Sequence, residues 1–71
     1  MRAKRDIISQ KILEIVSKAE EPLETVEIID ALKNSTRIKV LYRLYNLRGE
    51  NLLKGKQVGS GKGTWIWWKN G

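Results

Sequence analysis

The spacing of the apolar residues changes once along this chain, and that change predicts its fold class. From Ile8 to Asn51 the apolar positions recur three and four residues apart, as on the inward side of a helix. From Leu52 onward the pattern is that of strands, and alternation places Trp65 and Trp67 on one face and Ile66 and Trp68 on the other. Helices followed by paired strands within 71 residues predict a single small α+β domain over residues 1–71.

Helix-breaking and capping residues divide the first part of the chain into three helices. Glu20-Glu21-Pro22 ends the first helix, because proline cannot continue the hydrogen-bond ladder and disfavours helical backbone in the residue before it. Thr25 is a suitable N-cap for a second helix, and Asn34-Ser35 is a turn signal between the second and the third. The predicted helices cover about residues 4–20, 26–33 and 36–50.

The third predicted helix has an apolar and a polar side. Its inward line is Val40, Leu44 and Leu47. We expect the opposite line to be polar, and it consists of Thr36, Lys39, Arg43, Asn46 and Glu50. Either Gly49 or Asn51 can take the left-handed position that ends this helix, and the helical register favours Asn51.

The last part of the chain predicts a hairpin. Two strand-like segments flank the glycine-rich loop 59–63, and we expect them to pair as a two-stranded antiparallel hairpin over about residues 52–69. The loop does not fit a phosphate-binding P-loop, because Lys62 is followed by glycine and then by a strand rather than by a helix.

The composition leaves little catalytic chemistry. The chain has no cysteine and no histidine, which removes thiolate nucleophiles, disulfides and the commonest metal ligand and general base. Its carboxylates suit helix surfaces and turns, and none converges on a nucleophile, so we expect no catalytic residue, metal, cofactor or small-molecule ligand. No long apolar run predicts a membrane span, and no apolar signal region follows the basic start MRAKRD, so we expect a cytoplasmic protein.

The net charge of +6 is unevenly distributed. From residue 33 onward Glu50 is the one acid, and the basic residues are Lys33, Arg37, Lys39, Arg43, Arg48, Lys54, Lys56, Lys62 and Lys69. A basic half attracts polyanions through counterion release, or an anionic membrane or an acidic protein. The plainer interpretation is a solvated surface that keeps the protein in solution.

The order of helix, short extended segment, helix, tight turn, helix and hairpin resembles the winged helix-turn-helix family of DNA-binding domains. The resemblance covers about Ile8 to Lys69 and rests on PLETVEIIDAL (Pro22 to Leu32) and VLYRLYNLRGENLL (Val40 to Leu53). Many members show an apolar residue, leucines four and seven later, a glycine and an apolar pair; this chain has Asn51 in place of the glycine. The resemblance implies a three-helix fold whose C-terminal two-stranded hairpin, about residues 52–69, is the wing.

The same resemblance implies sequence-specific binding of double-stranded DNA by a small transcriptional regulator. By position, the major-groove residues would be Ser35, Thr36, Arg37, Lys39, Tyr42, Arg43 and Asn46. The wing residues would be Lys54, Lys56, Gln57, Ser60 and Lys62, and we expect Arg2, Lys4 and Arg5 to add phosphate contacts.

Physical chemistry supports part of this interpretation without the family. Lys39, Arg43 and Asn46 are spaced by four and three on one side of the third helix. Lysine and arginine side chains can contact guanine O6 and N7, and asparagine can pair with adenine N6 and N7. The alternative is an ordinary solvated surface, in which Arg43 or Asn46 bridges to Glu50.

Three tryptophans in four residues cannot all be buried easily in so small a hairpin. One face should complete the core, while the remaining rings either cover the lysine stems or form a patch for a second subunit, a partner protein or unstacked bases. A homodimer would use apolar residues off the core faces, namely Ile7, Leu13, Trp65, Trp67 and Trp68. Two alternatives to duplex binding therefore stay open: protein–protein contact through the tryptophan-rich strand, and binding of single-stranded nucleic acid.

Overall fold

A computed structural model describes residues 6–59 and 64–70 of the chain. The helices are α1 (Ile7–Lys18), α2 (Thr25–Ala31) and α3 (Arg37–Gly49), and the strands are β1 (Leu23–Glu24), β2 (Leu53–Val58) and β3 (Thr64–Lys69). Three helices with an antiparallel sheet confirm the α+β class. In the part of the chain that the structure describes, no helix is long and apolar enough to cross a membrane.

The sheet has three strands in the order β1-β3-β2, one more than the predicted two-stranded hairpin. Leu23 pairs with Trp67 and Glu24 with Ile66, which adds β1 to the free edge of β3. On its other side β3 pairs with β2 along its whole length. Since Pro22 cannot continue α1, the chain leaves that helix extended and lies along β3 before α2 begins.

The N-caps of the first two helices are acidic residues. Asp6 caps α1, and its Oδ1 accepts a hydrogen bond from the backbone N–H of Ser9 at 2.9 Å. Glu24, not the predicted Thr25, occupies the N-cap position of α2, and its backbone N–H donates to Oε1 of Glu27 at 2.7 Å. Thr25 is instead the first residue of α2, which leaves its hydroxyl directed at the sheet.

The end of α3 follows the prediction from the helical register. Asn51 takes the left-handed conformation, with φ of 63°, and its N–H donates to the carbonyl of Arg48 at 3.0 Å. The N–H of Leu52 donates to the carbonyl of Leu47 at 3.0 Å, which completes a Schellman motif. The chain therefore turns from α3 into β2 within three residues.

The core joins all three helices to the sheet. Its buried members are Ile12, Val16, Ile28, Leu32, Val40, Leu44, Leu47, Leu53 and Trp67. Trp67 is the largest of them and is fully buried. Its Nε1 donates to the Thr25 hydroxyl at 2.8 Å, and its ring lies over Gly55, the residue opposite it on β2. One tryptophan thus connects β3 to both α2 and β2.

Candidate nucleic-acid interface

The side of α3 that faces away from the core carries apolar side chains. Ile38 is 78% exposed, Tyr42 60% and Tyr45 50%. Each of these residues comes two positions before a member of the buried line Val40, Leu44 and Leu47. Since each residue turns the helix by about 100°, the three exposed side chains lie nearly opposite the buried line. We call Ile38, Tyr42 and Tyr45 the outer line. The expectation that a polar line lies opposite the core is therefore wrong.

The expected polar residues lie on one flank of α3, beside the outer line. Lys39 and Asn46 are exposed there, while Arg43 is half-buried. Thr36 precedes the helix, and its hydroxyl accepts a hydrogen bond from the N–H of Lys39 at 3.2 Å as the N-cap. Ser35 is half-buried, and its N–H closes the preceding turn on the carbonyl of Leu32.

The other flank of α3 faces the sheet. Arg37 is exposed and lines a groove together with Val26 and Trp65. Arg48 lies one residue short of the helix end, with its guanidinium carbon 5.2 Å from the centre of the Trp65 ring. From Arg37 to Gly49 the helix has four basic residues and no acid, so both flanks of the outer line are positive.

The flank that faces α1 contains a long-range ion pair. Nε of Arg43 donates to Oδ2 of Asp6 at 2.5 Å, with side-chain exposures of 26% and 41%. The other carboxylate oxygen caps α1. Hydrogen bonds from Ser9 lower the pKa of Asp6 below its ordinary value of 3.8, and Arg43 lowers the pKa further by a smaller amount. The sequence offers Glu50 as a partner for Arg43, whereas the structure pairs Arg43 with an acid at the start of α1.

Replacing Asp6 by asparagine should separate its role as the N-cap of α1 from its role as the partner of Arg43. Asparagine caps a helix about as well as aspartate, so Asp6→Asn should lose only the ion pair, at about 0.5 to 1 kcal/mol for so exposed a pair at neutral pH. The pKa of Asp6 is lowered in the folded state, mainly by the Ser9 hydrogen bonds and less by Arg43, so the stability that its charge contributes is complete above pH 3.8 and disappears as the pH falls through the folded-state pKa. Urea unfolding of both proteins across this range measures the difference.

The matched control for that prediction is Asp30→Asn, which removes one carboxylate from the exposed side of α2. Its free energy of unfolding should stay within about 0.5 kcal/mol of the parent at neutral pH. A loss of stability in Asp6→Asn that stays unchanged as the pH falls through the folded-state pKa of Asp6 would contradict the assignment to the charge of Asp6.

The predicted hairpin residues lie on two faces of the sheet. Lys54 is opposite Trp68 and Lys56 opposite Ile66, so both lysines share one face, as predicted. Gln57 is opposite Trp65, on the face that meets α3. The two lysines therefore lie on the side of the sheet away from α3. The remaining predicted contacts, Ser60, Lys62, Arg2, Lys4 and Arg5, lie outside the described residues.

Two of the three tryptophans pack with α3. Trp65 and Trp67 stack with ring centres 5.5 Å apart, and Tyr45 meets them at 6.5 and 6.0 Å. Trp67 is fully buried, so it cannot take the predicted part in self-association. The half-buried Trp68 lies on the opposite face of the sheet.

The other residues predicted for self-association differ in exposure. Leu13 is half-buried and packs against the core, whereas Ile7 is 66% exposed. A dimer contact by these residues stays a prediction.

Sequence reasoning missed Ile38 and Arg48 as parts of this surface. A signal for Ile38 exists: Ile38, Tyr42 and Tyr45 repeat the four-and-three spacing of Val40, Leu44 and Leu47. No local pattern identifies Arg48, because its role depends on the position of a ring in β3.

Comparison with protein-family models, curated proteins and solved structures finds no match to this chain. Among residues 6–59 and 64–70, no group of three or more acidic side chains is placed to hold a metal ion. The function is therefore inferred from the charge, exposure and packing of α3 and its neighbours.

Proposed function

We propose that this protein binds double-stranded DNA with α3 in the major groove, and that it is a small transcriptional regulator of the winged helix-turn-helix type. The observation that carries the proposal is the exposed side of α3, which has basic residues on both flanks and no acid from Arg37 to Gly49. A helix about 10–12 Å across fits a groove about 12 Å wide, whose walls are lined by phosphates.

The arrangement of α2 and α3 supports the proposal. The five residues Leu32 to Thr36 separate the two helices, and the turn is closed by the hydrogen bond from Ser35 to Leu32. A helix, a tight turn and a second exposed helix form the helix-turn-helix arrangement, in which the second helix contacts base edges. The packing of Val40, Leu44 and Leu47 against the core fixes which side of α3 is presented.

The proposal assigns base contacts to the exposed residues of α3, namely Arg37, Lys39, Tyr42 and Asn46. Arg43 contributes through its terminal nitrogens, because Asp6 holds its Nε. Lys54 and Lys56 lie on the face of the sheet away from α3, so the proposal assigns them no phosphate contact in the duplex that α3 binds. In this proposal the hairpin of β2 and β3 is the wing.

The outer line favours a second candidate function, the binding of a partner protein. Exposed isoleucine and tyrosine side chains between cations would suit an apolar surface with acidic residues around it. The tryptophan-rich strand does not favour this function, since Trp65 and Trp67 pack against Tyr45. The same packing weakens the case for single-stranded nucleic acid, which needs exposed rings for stacking.

A titration with a labelled duplex and with its separate single strands tests the proposal. We expect preference for the duplex, and a fall in affinity between about 50 and 200 mM salt that corresponds to about four to eight phosphate contacts. Non-specific attraction alone should be visible at about 50 mM salt, so no duplex binding there would reject DNA as the partner.

One pair of lysine variants tests whether α3 is the binding surface. Lys39→Ala should weaken duplex binding by about 1 to 2 kcal/mol, or roughly five- to thirtyfold, because it removes an exposed cation from the flank of the outer line. The same titration measures the change.

The matched control is Lys18→Ala, the same change of charge at an exposed position about 18 Å further along α1 than Asp6. It should alter affinity by less than about twofold, since charges more than about 8 Å from a phosphate are largely screened. Equal weakening by the two variants would mean that net charge, and not α3, determines binding.

A further inference from the structure

The outer line puts apolar groups at the position that would face the floor of the groove. Of the large apolar side chains in the described part of the chain, five are exposed, and three of these are Ile38, Tyr42 and Tyr45. Single exposed apolar residues are common on proteins, but a line of three on one side of one helix forms a continuous surface. Ile38 is the most exposed of the five.

Packing within the domain does not account for Ile38. Val40, Leu44 and Leu47 already provide the core contacts of α3. Tyr45 differs, because its ring meets Trp65 and Trp67 and so belongs in part to the sheet packing. Tyr42 lies between them, with the guanidinium carbon of Arg43 at 5.4 Å from its ring centre. The outermost apolar groups of α3 are therefore those of Ile38 and Tyr42.

The pattern of charge around these two residues matches the major groove of DNA. The major groove has phosphates along both walls, and the only apolar group that its base edges display is the C5-methyl of thymine. The exposed part of α3 has cations on both flanks, Arg37 on one and Lys39 on the other, and apolar side chains between them. Ile38 is also the second residue of α3, in the part of a recognition helix that approaches the bases.

We propose that Ile38 and Tyr42 contact thymine methyl groups, so that the preferred duplexes present thymine in the major groove opposite the N-terminal half of α3. This inference rests on the proposed function. It adds a class of DNA sequence to it and identifies Ile38 as a residue that determines specificity.

Uracil-substituted DNA tests the inference directly, because uracil pairs like thymine and lacks only the methyl group. A preferred sequence is first selected with the wild-type protein from a pool of randomised duplexes. That duplex is then prepared with thymine or with uracil throughout. We expect uracil to lower the affinity by about fourfold for each thymine methyl group that the protein touches, with the salt dependence unchanged because the phosphates are the same.

Ile38→Ala gives the protein side of the test. Since Ile38 is 78% exposed, the variant should fold, and its thermal unfolding can be compared with that of the wild type. It should bind the thymine duplex more weakly and lose most of the difference between thymine and uracil. Ile7→Ala is the matched control, the same substitution at a 66% exposed position on α1, and should keep the wild-type difference.

The possible results distinguish a failure of the thymine-contact inference from a failure of the proposed duplex binding. Equal affinity of the wild type for the two duplexes would overturn thymine contact and leave duplex binding intact. A thymine preference that persists in Ile38→Ala would overturn the assignment to Ile38. No binding of either duplex would overturn the proposed function itself, and would leave the outer line as a surface for a protein.

Discussion

Trp67→Ala should lower the free energy of unfolding by about 3 to 5 kcal/mol, the usual cost of deleting a fully buried tryptophan. The loss combines an unfilled cavity with the loss of the hydrogen bond that the indole donates to the Thr25 hydroxyl at 2.8 Å. Small domains have total stabilities near the low end of about 5 to 15 kcal/mol, so the variant should be largely unfolded at moderate temperature. Far-ultraviolet circular dichroism during urea unfolding measures this without relying on the deleted fluorophore.

Trp68→Ala is the control for that prediction. Trp68 follows Trp67 in β3 but lies on the other face of the sheet and is half-buried. Its removal should cost roughly 1 to 2 kcal/mol, in proportion to the smaller area that it buries. Destabilisation of equal size would show that the core does not depend on Trp67 as the packing indicates.

Gly55→Ala should destabilise the domain by about 1 to 3 kcal/mol, although it adds a single methyl group. A Cβ at this position would lie 2.6 Å from Cε3 of Trp67, far closer than carbon atoms approach without repulsion. The indole cannot move aside easily, since it is fully buried and its Nε1 is bonded to Thr25. Urea midpoints of the variant and the parent give the comparison.

Gly49→Ala is the matched substitution, and it should raise the free energy of unfolding rather than lower it. Gly49 is the last residue of α3, and a Cβ there would meet no atom within 4 Å. Alanine should stabilise the helix by about 0.5 kcal/mol, because it loses less backbone entropy than glycine. If both variants were destabilised alike, the close approach of the indole to Gly55 would not be the cause.

The features that follow from local sequence were predictable. The inward positions Val40, Leu44 and Leu47 and the left-handed Asn51 both follow from the helical period of one segment, and both predictions are confirmed. The failures involve contacts between distant segments. The strand β1 has two residues, too few for any periodicity, and it exists because β3 offers a free edge. The capping of α2 by Glu24 depends on a reciprocal contact with Glu27 that propensities alone do not distinguish from capping by Thr25.

In the candidate site, too, features set by local sequence were predictable and contacts between distant segments were not. The basic residues of α3 are evident in the sequence, and Arg37, Lys39 and Asn46 are exposed. The ion pair of Arg43 was not predictable, because Asp6 is 37 residues away in the chain. The exposure of Ile38 does not follow from the sequence, because an isoleucine in a small domain is usually buried, and only the packed structure distinguishes the second apolar line of α3 from the first.

The left-handed turn at Asn51 has a mechanical consequence. Two backbone hydrogen bonds fold residues 51 and 52 back onto the last turn of α3, and β2 starts at the next residue. There is thus no flexible hinge between this helix and the strand that follows it. A force that tilts α3 would be transmitted through this junction to β2 and across the sheet to β3. The helix and the hairpin should therefore move as one rigid body.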